Sequence, residues 1–134
     1  QALHSTAITG FASRTLDTLS DGERQRALIA KALAQATPFI CLDEPTSFLD
    51  FPSKVEILTL LSSLSHNTGK TIFLSTHDVE LAMRIADNLW LMDRNNTITI
   101  GSPRYLADTG LLSRFFDNDS IHFDPSTMSL RVRR

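Results

Sequence analysis

One cysteine, one tryptophan and one tyrosine occur among 134 residues, and no apolar run approaches the roughly 18–20 residues that span a bilayer. A lone Cys41 rules out an internal disulfide. It lies in the apolar run Phe39-Ile40-Cys41-Leu42 and reads as a small buried side chain of a core strand, the usual setting of a free cysteine. Neither sign of charge dominates. The 13 basic and 15 acidic residues leave a net charge of −2, which excludes a strong electrostatic pull toward nucleic acid or an anionic membrane. The basic end, Arg131-Val132-Arg133-Arg134, is too short to alter this and reads as a solvated tail. There is no internal repeat and no low-complexity tract. We expect no secretory leader, and the opening at Gln1 rather than methionine points to a longer parent chain. The composition, 42% apolar and 21% charged, is that of one soluble globular domain.

Periodicity divides most of the chain into alternating elements. The opening segment is weakly patterned; Ala2, Leu3, Ala7, Ile8 and Phe11 suit the end of a helix that Gly10 interrupts. A broad apolar face of Ala27, Leu28, Ile29, Ala30, Leu33, Ala34 and Ala36 predicts a helix over 22–36, and Pro38 forbids its continuation. Residues 39–42 then suit a strand buried on both faces of a parallel sheet. Val55, Leu58, Leu61 and Leu64 predict a helix over 52–65, with Asp50 as cap, Pro52 in the first turn and Gly69 closing it. A strand over 71–75, a helix from 77 or 78 to 86 and a strand over 88–92 follow, with Trp90 read as core. This alternation implies an α/β fold, a parallel sheet with flanking helices. After a turn at Asn95-Asn96 come a strand over 97–100 and a short helix opened by Ser102-Pro103 and ended by Gly110. Ile121, Phe123, Leu130 and Val132 alternate about Asp124-Pro125-Ser126, which predicts a small C-terminal β-hairpin over 119–133. An edge hairpin covering the sheet is the first expectation, a small subdomain or dimer contact the second.

Ligands of open α/β sheets bind at the carboxyl ends of the strands. Asp43-Glu44 follows the first strand, Ser75-Thr76-His77-Asp78 follows the second, and Leu19-Ser20-Asp21-Gly22-Glu23 precedes the first long helix. A helix N-terminus presents free N–H groups and partial positive charge, so it suits a phosphate; Ser20 adds a hydroxyl and Gly22 permits close approach. The plainer reading of Ser20 is a helix cap. A carboxylate ending a buried strand must be solvated, paired or metal-bound. Asp43 therefore suits Mg2+, which keeps several waters, and Glu44 suits orienting or deprotonating an attacking water. The other histidines, His4, His66 and His122, read as incidental.

Leu19-Ser20-Asp21-Gly22-Glu23-Arg24-Gln25-Arg26 resembles the signature of ATP-binding-cassette (ABC) ATPases. Phe39 to Glu44 resembles their Walker B strand, Pro45 to Asp50 their D-loop, and Ser75-Thr76-His77-Asp78 their switch histidine. The resemblance runs from Leu19 to Asp78 in the family's order and continues more loosely to Gly101. It implies a partial P-loop NTPase fold, with 1–21 ending a helical subdomain and reaching the signature, 22–101 forming the core, and 102–134 a C-terminal extension. It implies ATP as substrate and Mg2+ as cofactor, held at Asp43 through water, with Glu44 and His77 catalytic. Leu19, Ser20, Asp21, Gly22 and Glu23 would contact nucleotide in trans, and Ser47, Leu49 and Asp50 would form the D-loop. Asp21 and Glu23 stand where the family usually has Gly and Gln; we expect both carboxylates to point away from the phosphate. Implied partners are a second ATPase subunit arranged head to tail, transmembrane permease subunits and, indirectly, a substrate-binding protein, with no nucleic acid. The implied place is cytoplasmic, peripheral on the inner face of a bacterial membrane.

No Gly-x-x-x-x-Gly-Lys-[Ser/Thr] phosphate loop occurs. Gly69-Lys70-Thr71 imitates its end, but the position five residues earlier is Leu64, and the pair leads from helix into strand, the reverse of the required order. The expectation is that these residues alone neither bind ATP tightly nor hydrolyse it. The form Leu-Ser-Asp-Gly-Glu with Phe48-Leu49-Asp50 resembles importer ATPases for iron-siderophore, haem or vitamin B12. The alternatives are a non-transport ABC ATPase acting on DNA or ribosomes, and a binding module that has lost catalysis; retention of Asp43 and Glu44 opposes the last.

Overall fold

A computed structural model of the chain describes residues 19–134 together with Thr6 and Gly10. The helix end expected in the opening segment lies outside these residues. Contacts divide the chain into two units, Gln1–His77 and Asp78–Arg134.

In the first unit, α1 (Asp21–Ala34) starts in a reciprocal cap. Ser20 Oγ accepts from the Glu23 amide at 3.3 Å, and the Glu23 carboxylate accepts from the Ser20 amide at 2.8 Å. After β1 (Phe39–Leu42), Asp50 caps α2 (Phe51–Thr68) by accepting from the Ser53 amide at 3.0 Å. Hydrogen bonds from Ser53 hold the Asp50 carboxyl below its ordinary pKa. The helix outlasts the expected 52–65 and stops at Gly69, whose φ of +65° lies in the left-handed region. Gly69→Ala should cost roughly 1 kcal/mol, although an added Cβ meets nothing within 4 Å; a thermal melt unchanged from wild type would refute this.

β2 (Thr71–Leu74) pairs with β1 in parallel, from Phe39↔Thr71 to Leu42↔Leu74. Leu42, Ile72 and Leu74 pack on a core of Ile29, Ile57, Leu61 and Leu64 from α1 and α2. Alternation places Phe39, Cys41 and Phe73 on the other face, where the rings of Phe39 and Phe73 stack with centroids 6.5 Å apart. The expectation of a strand buried on both faces is corrected: Ile40 is buried, but Phe39 and Cys41 are exposed. The helical stripes of α1 and α2 cover one face.

The second unit runs α3 (Val79–Ile85), β3 (Leu89–Met92), β4 (Ile98–Gly101), α4 (Pro103–Asp108), α5 (Leu111–Phe116), β5 (Ile121–Asp124) and β6 (Ser129–Val132). Here the third strand pairs antiparallel with β4, so the observed parallel pairing is that of β1 with β2. The cause is local: Asp93 Oδ1 accepts from the amides of Asn95 and Thr97 at 2.8 and 2.9 Å, closing the Asn95-Asn96 turn into a hairpin. Trp90, read as core, is 55% exposed, because β3 turns Leu91 inward and Trp90 and Met92 outward. The helix α5 was not expected; Gly110, read as a stop, is also its N-cap at φ +73°. Met83, Leu91, Leu106, Ala107, Leu112 and Phe123 form this unit's own core.

The predicted C-terminal hairpin is present, with Phe123 opposite Leu130. It is fastened within its unit: Glu80 Oε1 accepts from the Leu130 amide at 2.9 Å, and Asp117 Oδ1 from the Phe123 amide at 2.7 Å. Hydrogen bonds from Ser126, then the Arg131 guanidinium, lower the Asp124 carboxyl from 3.8 to about 2. A depressed carboxyl stabilises the fold above its unfolded value, and that contribution disappears as pH falls through the folded one. The melting difference between wild type and Asp124→Asn should therefore narrow between about pH 4 and pH 2. A difference independent of pH would refute this.

Candidate active site

The parallel register brings the chain beyond β1 beside the chain beyond β2. The ladder continues one step, with the Ser75 amide donating to Leu42 O at 3.0 Å. Ser75 Oγ then donates to Asp43 Oδ1 at 2.6 Å and accepts from the Glu44 amide at 2.9 Å. Glu44 has φ +43°, a left-handed conformation that costs an L-residue roughly 1–2 kcal/mol. Its two carboxylate oxygens have separate partners: Oε1 lies 2.6 Å from His77 Nε2, and Oε2 accepts from Ser47 Oγ at 2.8 Å. The following turn is closed by the Ser47 amide on Glu44 O at 3.0 Å and anchored by buried Pro45 and Thr46.

The structure thus brings Asp43, Glu44, Ser47 and His77 together. The sequence reading set no role for Ser75; its position at the strand end opposite Asp43 was the available signal. Other candidates are engaged elsewhere. Leu49 packs against the core, Asp50 caps α2, Leu19 is buried, and Ser20 and Glu23 cap α1. Ser20 does cap its helix. Glu23 folds back onto the Ser20 amide at the N-terminus of α1, so this amide is occupied by Glu23. A Cβ at Gly22 would meet nothing within 4 Å among the described residues.

The pair Glu44–His77 is open to solvent, with side chains 42% and 88% exposed. Exposed ion pairs contribute about 0–1 kcal/mol, so this pair does little for stability. It holds a carboxylate within reach of an imidazole, an arrangement able to orient a water and move its proton. Among the described residues no three His, Cys, Asp or Glu side chains gather to hold a metal. The oxygen donors at Asp43 nevertheless fit Mg2+, since Oδ1 is fixed by Ser75 and magnesium needs only one or two carboxylates beside water and phosphate.

Residues 9–84 match the family model described as "AAA domain, putative AbiEii toxin, Type IV TA system". The chain is 41% identical over 119 residues to the achromobactin transport ATP-binding protein CbrD of Dickeya dadantii, covering 89% of this chain and 44% of that protein. It is 38% identical over 116 residues to the ferric enterobactin transport ATP-binding protein FepC of Escherichia coli, covering 87% and 43%. It belongs to the ATP-binding proteins of ABC transporters. Its fold agrees: cbiO1 from Clostridium perfringens, part of the ABC transporter complex cbiONQ, superposes with a TM-score of 0.73 at 31% identity, over 84% of this chain and 45% of that one. This ABC chain spans less than half the length of the curated relatives it matches. Among its described residues no helix is long and apolar enough to cross a membrane.

Proposed function

We propose that this chain is part of the ATP-hydrolysing subunit of an ABC importer for iron-siderophores or related metal chelates. The convergence of Asp43, Glu44 and His77 at the ends of adjacent parallel strands carries the reading. Asp43 would hold Mg2+, by way of water, and the ion would supply neutralisation of charge on the triphosphate. Glu44 orients the attacking water and accepts its proton as the new P–O bond forms and the bond to the leaving phosphate breaks. His77 keeps the carboxylate in place and donates to the terminal phosphate. The signature, Leu19 to Glu23, faces nucleotide held by a second cassette, with Ser47, Leu49 and Asp50 in the D-loop between them.

The names of the relatives favour transport over action on DNA or ribosomes. Permease subunits, a place on the inner face of the membrane and an indirect tie to a substrate-binding protein follow from that reading. The phosphate grip comes from a Gly-Lys loop that these residues do not contain. The test compares magnesium-dependent phosphate release by the 134-residue chain alone and by the chain joined to the phosphate-loop half of a related cassette. We expect turnover from the second alone; hydrolysis by the chain by itself, or by neither, would overturn the proposal.

A further inference from the structure

The Ser75 side chain touches both halves of the Asp43-Glu44 pair. In a parallel ladder continued one rung beyond Leu42↔Leu74, the Glu44 amide would donate to the Ser75 carbonyl. Instead it donates to the Ser75 hydroxyl, 2.9 Å away, and the same hydroxyl passes its own proton toward Asp43 Oδ1 at 2.6 Å. A bond of that length to a carboxylate is among the stronger kinds, being charge-assisted. One hydroxyl therefore orients the Asp43 carboxylate and clamps the Asp43–Glu44 peptide. The clamp holds Glu44 at φ +43°, where its carboxylate meets His77 and Ser47.

We propose that Ser75 is a positioning residue of the hydrolytic site, setting the relative placement of the acid that carries magnesium and the acid that directs water. The inference rests on the ATPase reading above. Leu74, the last residue of β2, faces the core, and the Ser75 amide is already spent on Leu42 O. Displacement of a reacting group by about 1 Å costs on the order of 100-fold in rate, so loss of the clamp should act on turnover rather than on nucleotide affinity.

The experiment uses the complete ATPase with Ser75→Ala and Ser75→Thr. Turnover, the KM for MgATP, the melting temperature and nucleotide-free hydrogen exchange at the Glu44 amide are measured. Ser75→Ala should lower kcat by at least about tenfold, leave KM and the melting temperature near wild type and speed exchange at Glu44. Ser75→Thr, which keeps the hydroxyl, should restore both turnover and protection. Unchanged kcat or unchanged exchange in Ser75→Ala, or failure of threonine to rescue, overturns the inference. A wild-type protein without turnover overturns the ATPase reading instead, and exchange at Glu44 tells the two failures apart.

Discussion

Glu44→Gln in the complete cassette should reduce ATP turnover by about 10²–10⁴-fold, the range general-base catalysis supplies, while ATP binding persists. The substitution keeps size and removes charge. Glu44 now offers one oxygen to His77 Nε2 at 2.6 Å and the other to Ser47 Oγ at 2.8 Å. A glutamine presents a single acceptor oxygen, so only one of these partners keeps its bond unaltered, and the amide has no basic site for a water's proton. The fold should not notice, because an exposed pair contributes about 0–1 kcal/mol. Steady-state phosphate release and equilibrium ATP binding separate the two effects. Turnover within a few-fold of wild type would remove Glu44 from the chemistry; loss of binding would make it a ligand of nucleotide.

The largest effect on stability is expected from Ile57→Ala. Ile57 is 1% exposed and lies among Ile29, Leu61 and Leu64, where α1 and α2 meet the inner face of β1 and β2. Truncation of such a side chain removes its transfer free energy and leaves a cavity, together about 2–5 kcal/mol. Total stabilities of domains are about 5–15 kcal/mol, so this is a large share. In urea the midpoint should fall with an unchanged slope, the mark of altered stability rather than altered compactness. A midpoint shift worth less than about 1 kcal/mol would mean that the packing around Ile57 relaxes fully. The same core carries the register that aligns Asp43 with Ser75, so the site should weaken along with the fold.

Local signals were legible wherever one residue type has one physical use. Pro38 and Gly69 bound their elements, Asp50 caps its helix, and the alternation of Ile121, Phe123, Leu130 and Val132 became a hairpin. The convergence of Asp43, Glu44 and His77 was legible too, because carboxyl ends of neighbouring parallel strands lie together. Pairing and burial were not. A short apolar strand reads alike whether one face or both are covered, so Cys41 and Trp90 were placed inside and stand outside. Asp93 steers β3 toward β4 through side-chain hydrogen bonds that hydrophobic periodicity does not register. Gly110 ends one helix and begins another, two roles with one signal.

Trp90 is the only indole in the chain, and it stands half-open on the outer face of the β3–β4 hairpin beside Ile100, its partner across the ladder. Tyr105 aside, phenylalanines make up the remaining aromatics, so emission excited near the red edge of protein absorption comes from a single place. The spectrum is thereby a built-in gauge of that face: a blue shift on adding another polypeptide would report its arrival over Trp90, with no dye attached and no residue exchanged.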